Sequence, residues 1–205
     1  MTTLLDSLPV AIVLWLAVYA ADYYLTLYGR QLWLKNAQAF LRFQGSYELN
    51  PYYQKDVDAN KRVSRRFIFM LVFGLIWMTF AWGATRYLNI PQVFPAWVGY
   101  LILMEVVALS SHVQNIRLFK SAAISGAVEG QISYARWVSM DGTGWKFAYW
   151  GLIFLIIALL MNNWFFAGGM FSCTVEFFRF RRYGQRLKVN AKPAASATAP
   201  AEPSA

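Results

Sequence analysis

Apolar residues in this chain gather into long runs, and the charged residues are confined to the segments between them. A helix rises about 1.5 Å per residue, so roughly 20 apolar residues cross a bilayer core of about 30 Å. Leu8 to Tyr28 is the first run of that kind, interrupted only by Asp22, with Pro9 near its start, where a helix tolerates proline. Phe67 to Thr85 is the second and holds no charge, and Pro95 to Ile116 is the third. The last run, Phe147 to Phe178, is too long for one crossing. Asn162-Asn163 divides it, and Gly168-Gly169 follows shortly after. Asn and Gly favour turns, so two short spans joined by a tight hairpin are expected at 147–161 and 164–178. The alternative is a single tilted helix over 147–178 and four spans in all.

Charge favours five. The segment from Gly29 to Arg66 carries eight Lys or Arg residues, whereas the link from Arg86 to Phe94 carries only Arg86. Arg117, Lys120, Arg136 and Lys146 lie in or beside the third connection, and Arg179, Arg181, Arg182, Arg186, Lys188 and Lys192 follow the last run. Basic loops stay on the cytoplasmic side. Five spans with the N-terminus outside put all three basic segments there; four would leave the basic tail outside. The expected fold is therefore all-α, a polytopic transmembrane helix bundle over residues 1–190. From Ala191 the sequence AKPAASATAPAEPSA has no bulky apolar residue, so 191–205 is expected to be a disordered tail. The first loop intersperses Leu32, Leu34, Phe40, Leu41 and Phe43 with Arg30, Lys35 and Arg42, the pattern of an interfacial helix.

Composition agrees. Of 205 residues, 58% are hydrophobic and 14% charged, where a soluble domain carries about 25% charged. The net charge of +9 sits beside apolar segments, which points to topology and anionic headgroups and away from nucleic acid. Cys173 is the one cysteine, so an intramolecular disulfide or a CxxC centre is excluded. The N-terminus has no Lys or Arg ahead of its apolar run, so it reads as a retained span and not as a secretory signal peptide.

Candidate chemistry lies in the ionisable residues at membrane depth, which are expensive there and survive with partners or a purpose. Asp22 falls in the cytoplasmic half of the first span, with Thr26 one turn on and on the same face. In the third span Glu105 falls near the midplane, and His112 and Asn115 share a face toward the cytoplasmic boundary. Glu105 and His112 are two turns apart, roughly 10 Å along the axis, too far to ligate one ion directly. Asp22, Thr26, His112 and Asn115 meet at one depth if the first and third spans are neighbours. In the first loop, the proline of Glu48-Leu49-Asn50-Pro51 turns Asn50 away from helical geometry, so Asn50 is expected either to cap a helix beginning at Pro51 or to fold with Glu48 over the mouth of the cluster.

Asp22-x-x-x-Thr26 followed by Glu48-Leu49-Asn50-Pro51 resembles an uncharacterised family of small prokaryotic polytopic membrane proteins. The stretches His112-Val113-Gln114-Asn115, Gly130 to Trp137 and Phe165 to Gly169 are similar to such proteins too. The resemblance implies a membrane fold in a prokaryotic inner membrane, without an activity.

Several enzyme classes are excluded. A single His rules out an HExxH zinc helix and bis-histidine haem, and no GxSxG elbow, Walker loop or dinucleotide fingerprint occurs. Gly142-Thr143-Gly144 reads as a turn. Three functions remain: an ion- or solute-handling protein using Asp22, Glu105 and His112; an accessory subunit whose nine Trp, twelve Tyr and sixteen Phe anchor it in lipid and against partner helices or a second copy; and an intramembrane enzyme acting on a lipid with a metal on Glu48, Asp22 and His112. A pigment or haem on His112 belongs to the second. No cofactor is specified by the sequence.

Overall fold

A computed structural model describes residues 7–124 and 127–196. The chain is an all-α helical bundle. Its long helices are α1 (Leu8–Leu32), α3 (Arg65–Tyr87), α4 (Val93–Ser121), α5 (Arg136–Met161) and α6 (Trp164–Ser196). A short helix, α2 (Gln54–Asp58), and two three-residue strands, β1 (Leu41–Phe43) and β2 (Ile132–Tyr134), lie in the connections. Four helices are long and apolar enough to cross a membrane: α1 with its continuation to Ala37, α3, α4 and α5.

The run from 147 to 178 is broken at the asparagines, so the single-helix alternative does not hold. Asn162 adopts the left-handed conformation (φ 46°) that ends α5. Asn163 then accepts a hydrogen bond from the Phe165 amide (2.9 Å) and so caps α6. Gly168 and Gly169 take no part in this turn. They lie inside α6 and bring it against α4, where a Cβ on Gly168 would strike the Ala96 carbonyl and one on Gly99 the Phe165 carbonyl. Small residues let membrane helices approach this closely and gain packing that lipid cannot supply.

Helix α6 doubles back along α5 in the most extensive contact of the fold. Gly151 faces Cys173, Gly144 faces Phe180, and Gly184 faces Met140. Near the other end Arg181 donates to Asp141 at 2.9 Å. The helix is apolar to Phe178, turns basic, and continues to Ser196; it therefore extends into the segment expected to be a tail, whose remainder, 197–205, lies outside the described residues. Helix α5 likewise begins at Arg136, ahead of the expected 147, and includes Gly142-Thr143-Gly144, which is helical and not a turn.

Helix α1 packs on α4 and α3. Trp15 lies flat over Gly74, where a Cβ would come within 2.7 Å of its ring, and its indole donates to the Leu71 carbonyl (3.2 Å). Tyr19 and Tyr23 stack on Phe67 at 5.3 and 4.6 Å. Helix α3 buries only Phe67, Gly74, Met78 and Ala81, leaving an aromatic ladder of Phe69, Phe73, Trp77 and Phe80 on the outside.

The first loop is not an interfacial helix. After Leu32 the helix widens into a π-turn over Trp33–Ala37. Leu41–Phe43 then leaves as a strand that pairs in parallel with Ile132–Tyr134. Trp33, Ala37, Phe119 and Ala122 form a small core beneath it, with Phe40, Leu41 and Phe43 packed on, so these apolar side chains are partly buried against that core instead of forming a helical face. The ladder ties together the first and third connections, which stand on the same side because α3 and α4 cross the bundle once each way between them.

Candidate functional site

Helices α1 and α4 are neighbours, and the polar residues expected to meet do so. Asp22 Oδ1 lies 3.0 Å from His112 Nε2, and Thr26 Oγ1 lies 3.1 Å from the same nitrogen. The Thr26 hydroxyl donates to the Asp22 backbone carbonyl one turn back (2.9 Å), so its oxygen receives from the imidazole. With the hydroxyl proton given to that carbonyl, the contacts fit a tautomer in which Nε2 carries a proton between the Asp22 carboxyl and the Thr26 hydroxyl. Nδ1 is buried and has no hydrogen-bond partner. Thr26 is 4% exposed, while Asp22 and His112 keep 26% and 16% of their side-chain surface, so the pair sits at the edge of the packed interior.

The Glu48-Leu49-Asn50-Pro51 element folds over this pair. Glu48 Oε1 accepts from the Asn50 amide (2.6 Å), and Asn50 Oδ1 accepts from the Tyr52 amide (3.2 Å). These two turns place Tyr53, not Asn50, at the N-cap of α2, which starts at Gln54 and not at Pro51. The expected cap is therefore a turn residue in front of the helix, because Pro51 to Tyr53 is spent in the turn. Gln54 donates to the Glu48 carbonyl (3.0 Å), and Arg136, at the start of α5, reaches the carbonyls of Glu48 and Leu49 at 3.5 and 3.4 Å. The Glu48 carboxyl is pushed up to about 7, first by burial, then in smaller measure by the negative charge of Asp22; the Asn50 amide, His112 and Arg136 oppose the rise. Glu48 is thus within electrostatic reach of both members of the pair. Asn115 lies one turn below His112 and beside the Tyr47 hydroxyl, which is buried against Gly29 without a hydrogen bond.

Glu105 stands apart from this centre. It is 6% exposed and makes no side-chain hydrogen bond or ion pair among the described residues. Asp22 lies within its electrostatic reach from α1, and Glu176 and Arg179 from α6. Among the described residues no three His, Cys, Asp or Glu side chains converge as metal ligands, so Glu48, Asp22 and His112 come near one another without forming a metal centre.

Four groups that carry polar contacts here were absent from the sequence reading as site residues. Glu176 is the one carboxylate in the apolar run 147–178, and that alone was a signal, since a lone acid in such a run requires a partner. It is 6% exposed and paired with Arg179 at 2.5 Å. Tyr19 and Tyr53 share a hydroxyl–hydroxyl contact of 2.7 Å, with Asp22 and Glu105 in electrostatic reach. Lys146 reaches from α5 to the Ser111 hydroxyl (2.5 Å), next to His112. The tyrosines gave no signal, because aromatic residues fill every span.

Comparison with protein-family models, with curated proteins and with solved structures found no match, so the family resemblance stands on its short motifs alone.

Proposed function

We propose that this chain is a five-span membrane protein that binds and passes a proton, or another small cation or solute, through the polar cluster between α1 and α4. One observation carries the reading: the Asp22–Thr26–His112 contact, made by residues of two separate helices that are each long and apolar enough to cross a membrane. A carboxylate facing an imidazole exchanges a proton readily, because the two groups' charges compensate as it moves. Glu48 stands over the pair and titrates near neutral pH. It is the natural gate group between the pair and the basic side, which we take as cytoplasmic by the distribution of Lys and Arg. Reconstituted into liposomes with an interior pH indicator, the protein should carry proton flux that Asp22→Asn and His112→Gln abolish. Equal flux in both variants would exclude the reading.

A second reading, an accessory subunit of a membrane complex, is supported by α3. Its outward aromatic ladder stays largely exposed, with only Trp77 reaching Trp97 of α4 among the described residues. Purification in mild detergent decides this one, since a solitary monomer argues against it.

A further inference from the structure

Glu105 and Glu176 are two carboxylates buried to 6% exposure on neighbouring helices. Helices α4 and α6 run in the same direction here, fixed by the contacts of Ala96 with Gly168, Leu103 with Gly169 and Tyr100 with Phe171. Continuing that register sets Glu105 beside the turn of α6 that holds Ser172 and Glu176. Among the described residues one cation, Arg179, faces the pair, and it is engaged with Glu176 at 2.5 Å. Glu105 has no hydrogen-bond or ion-pair partner among the described residues. The other groups facing it are Asp22 and Tyr19 on α1 and Tyr53 from the first loop, each neutral or negative. Tyr100, on α4 itself, faces Glu176 and Arg179. With both carboxylates ionised, the site would hold two negative charges against one positive charge. An uncompensated charge away from water is far more costly than protonation of the group that bears it.

We infer that Glu105 and Glu176 together form a second intramembrane site, distinct from the Asp22–His112 contact, that holds one exchangeable proton. Arg179 neutralises one carboxylate and the proton neutralises the other. A metal ion fits less well, because hard cations require about six oxygen ligands, and no three acidic, His or Cys side chains converge among the described residues. Glu105 is also within reach of Asp22, so the site extends the polar track proposed above and rests on that reading for its purpose. Its existence requires only equilibrium proton binding, which flux measurements do not report.

Infrared spectroscopy of the purified, full-length protein tests it. At neutral pH the wild type should show a protonated-carboxyl C=O band that shifts in D2O, and Glu105→Gln should remove the intensity of one carboxyl. Gln has the shape of the protonated acid, so this variant should fold. Should it not, Glu176→Gln gives the same reading, because Glu105 and Arg179 then neutralise each other. Arg179→Gln should add one carboxyl's intensity, as both acids then hold protons. An unchanged band in Glu105→Gln or in Arg179→Gln overturns the inference. So does a band that sodium at fixed pH removes from the wild type but not from Glu105→Gln, since the ion held would then be a metal. Wild-type protein that carries no flux but shows the band refutes transport and leaves this site standing; flux without the band refutes the site alone.

Discussion

Asp22 and His112 lie ninety residues apart in the chain, and their side chains meet at 3.0 Å between α1 and α4. The contact carries two consequences, one for chemistry and one for helix association. Hydrogen bonds between membrane helices contribute modestly, about 0.6 kcal/mol on average and up to about 1.7, because the separated helices find other partners. This one joins a carboxylate to an imidazole and excludes part of the water, so a double-mutant cycle of Asp22→Asn and His112→Gln should give a coupling near the top of that range, about 1–2 kcal/mol. Unfolding measured in bicelles checks it. A coupling of a few tenths would mean that the side chains pass each other without bonding.

The approach of α4 to α6 makes a sharper claim, because backbone is on the receiving side. A methyl group added at Gly99 meets the Phe165 carbonyl, and one at Gly168 meets Ala96. A flexible side chain could step aside, but helix backbone cannot. Either Gly→Ala change should destabilise by at least about 1–3 kcal/mol, the usual range for overpacking. Gly142 lies on α5 with nothing near its added Cβ. Gly142→Ala should therefore be neutral or stabilise by up to about 1 kcal/mol through helix propensity. Three thermal melts in one detergent compare them. Equal melting temperatures would mean that the two helices do not touch as described.

The helices were legible because the hydrophobic runs have the length of a span and the breaks fall at Asn162-Asn163 and at the charged links. Their ends were not. Helix α1 runs past Tyr28, and α5 begins at Arg136, because a helix continues beyond the apolar stretch wherever its polar turns pack on something. The meeting of Asp22, Thr26 and His112 was readable as a conditional, since i and i+4 share a face, and it needed only the neighbourhood of two spans. Gly168-Gly169 misled because glycine serves turns and close helix contacts alike, and only the opposing Ala96 and Leu103 distinguish the two. The apolar residues of the first loop misled for a related reason. Phe40, Leu41 and Phe43 look like an interfacial face until β2, ninety residues on, supplies the strand that pairs with them.

The backbone carbonyls of Glu48 and Leu49 are held from outside the loop by Arg136. Arg136 reaches the carbonyls of Glu48 and Leu49 at 3.5 and 3.4 Å, long contacts that combine charge with two acceptors. Arg136→Gln should loosen the loop without unfolding the bundle, because the side-chain hydrogen bonds Arg136 makes among the described residues go to the loop and not to another helix. Amide exchange at residues 46–54 should rise by about tenfold, equal to about 1.4 kcal/mol, while exchange in α4 and α5 stays unchanged. Lysine should restore little, since it cannot span two carbonyls with a planar fork. Full protection in Arg136→Gln would show that Gln54 and the Asn50 turn suffice.

Glu48 sets a pH dependence whose sign is fixed. Its carboxyl titrates near 7 in the folded protein, above the usual carboxylate value of about 4.3. The folded state therefore binds the proton more tightly than the unfolded state. Stability from this group is fully present below the unfolded value and is lost as pH rises through about 7. The loss is at most about 4 kcal/mol, less because water reaches a half-buried carboxyl. Glu48→Gln keeps the acceptor for the Asn50 amide and cannot ionise. The variant should match the wild type below about pH 4 and become the more stable of the two as pH rises toward 8. Subtracting the two stability curves removes every other titrating group. A difference that stays flat across that window would place the Glu48 carboxylate in water, and the gate assigned to it would have no physical basis.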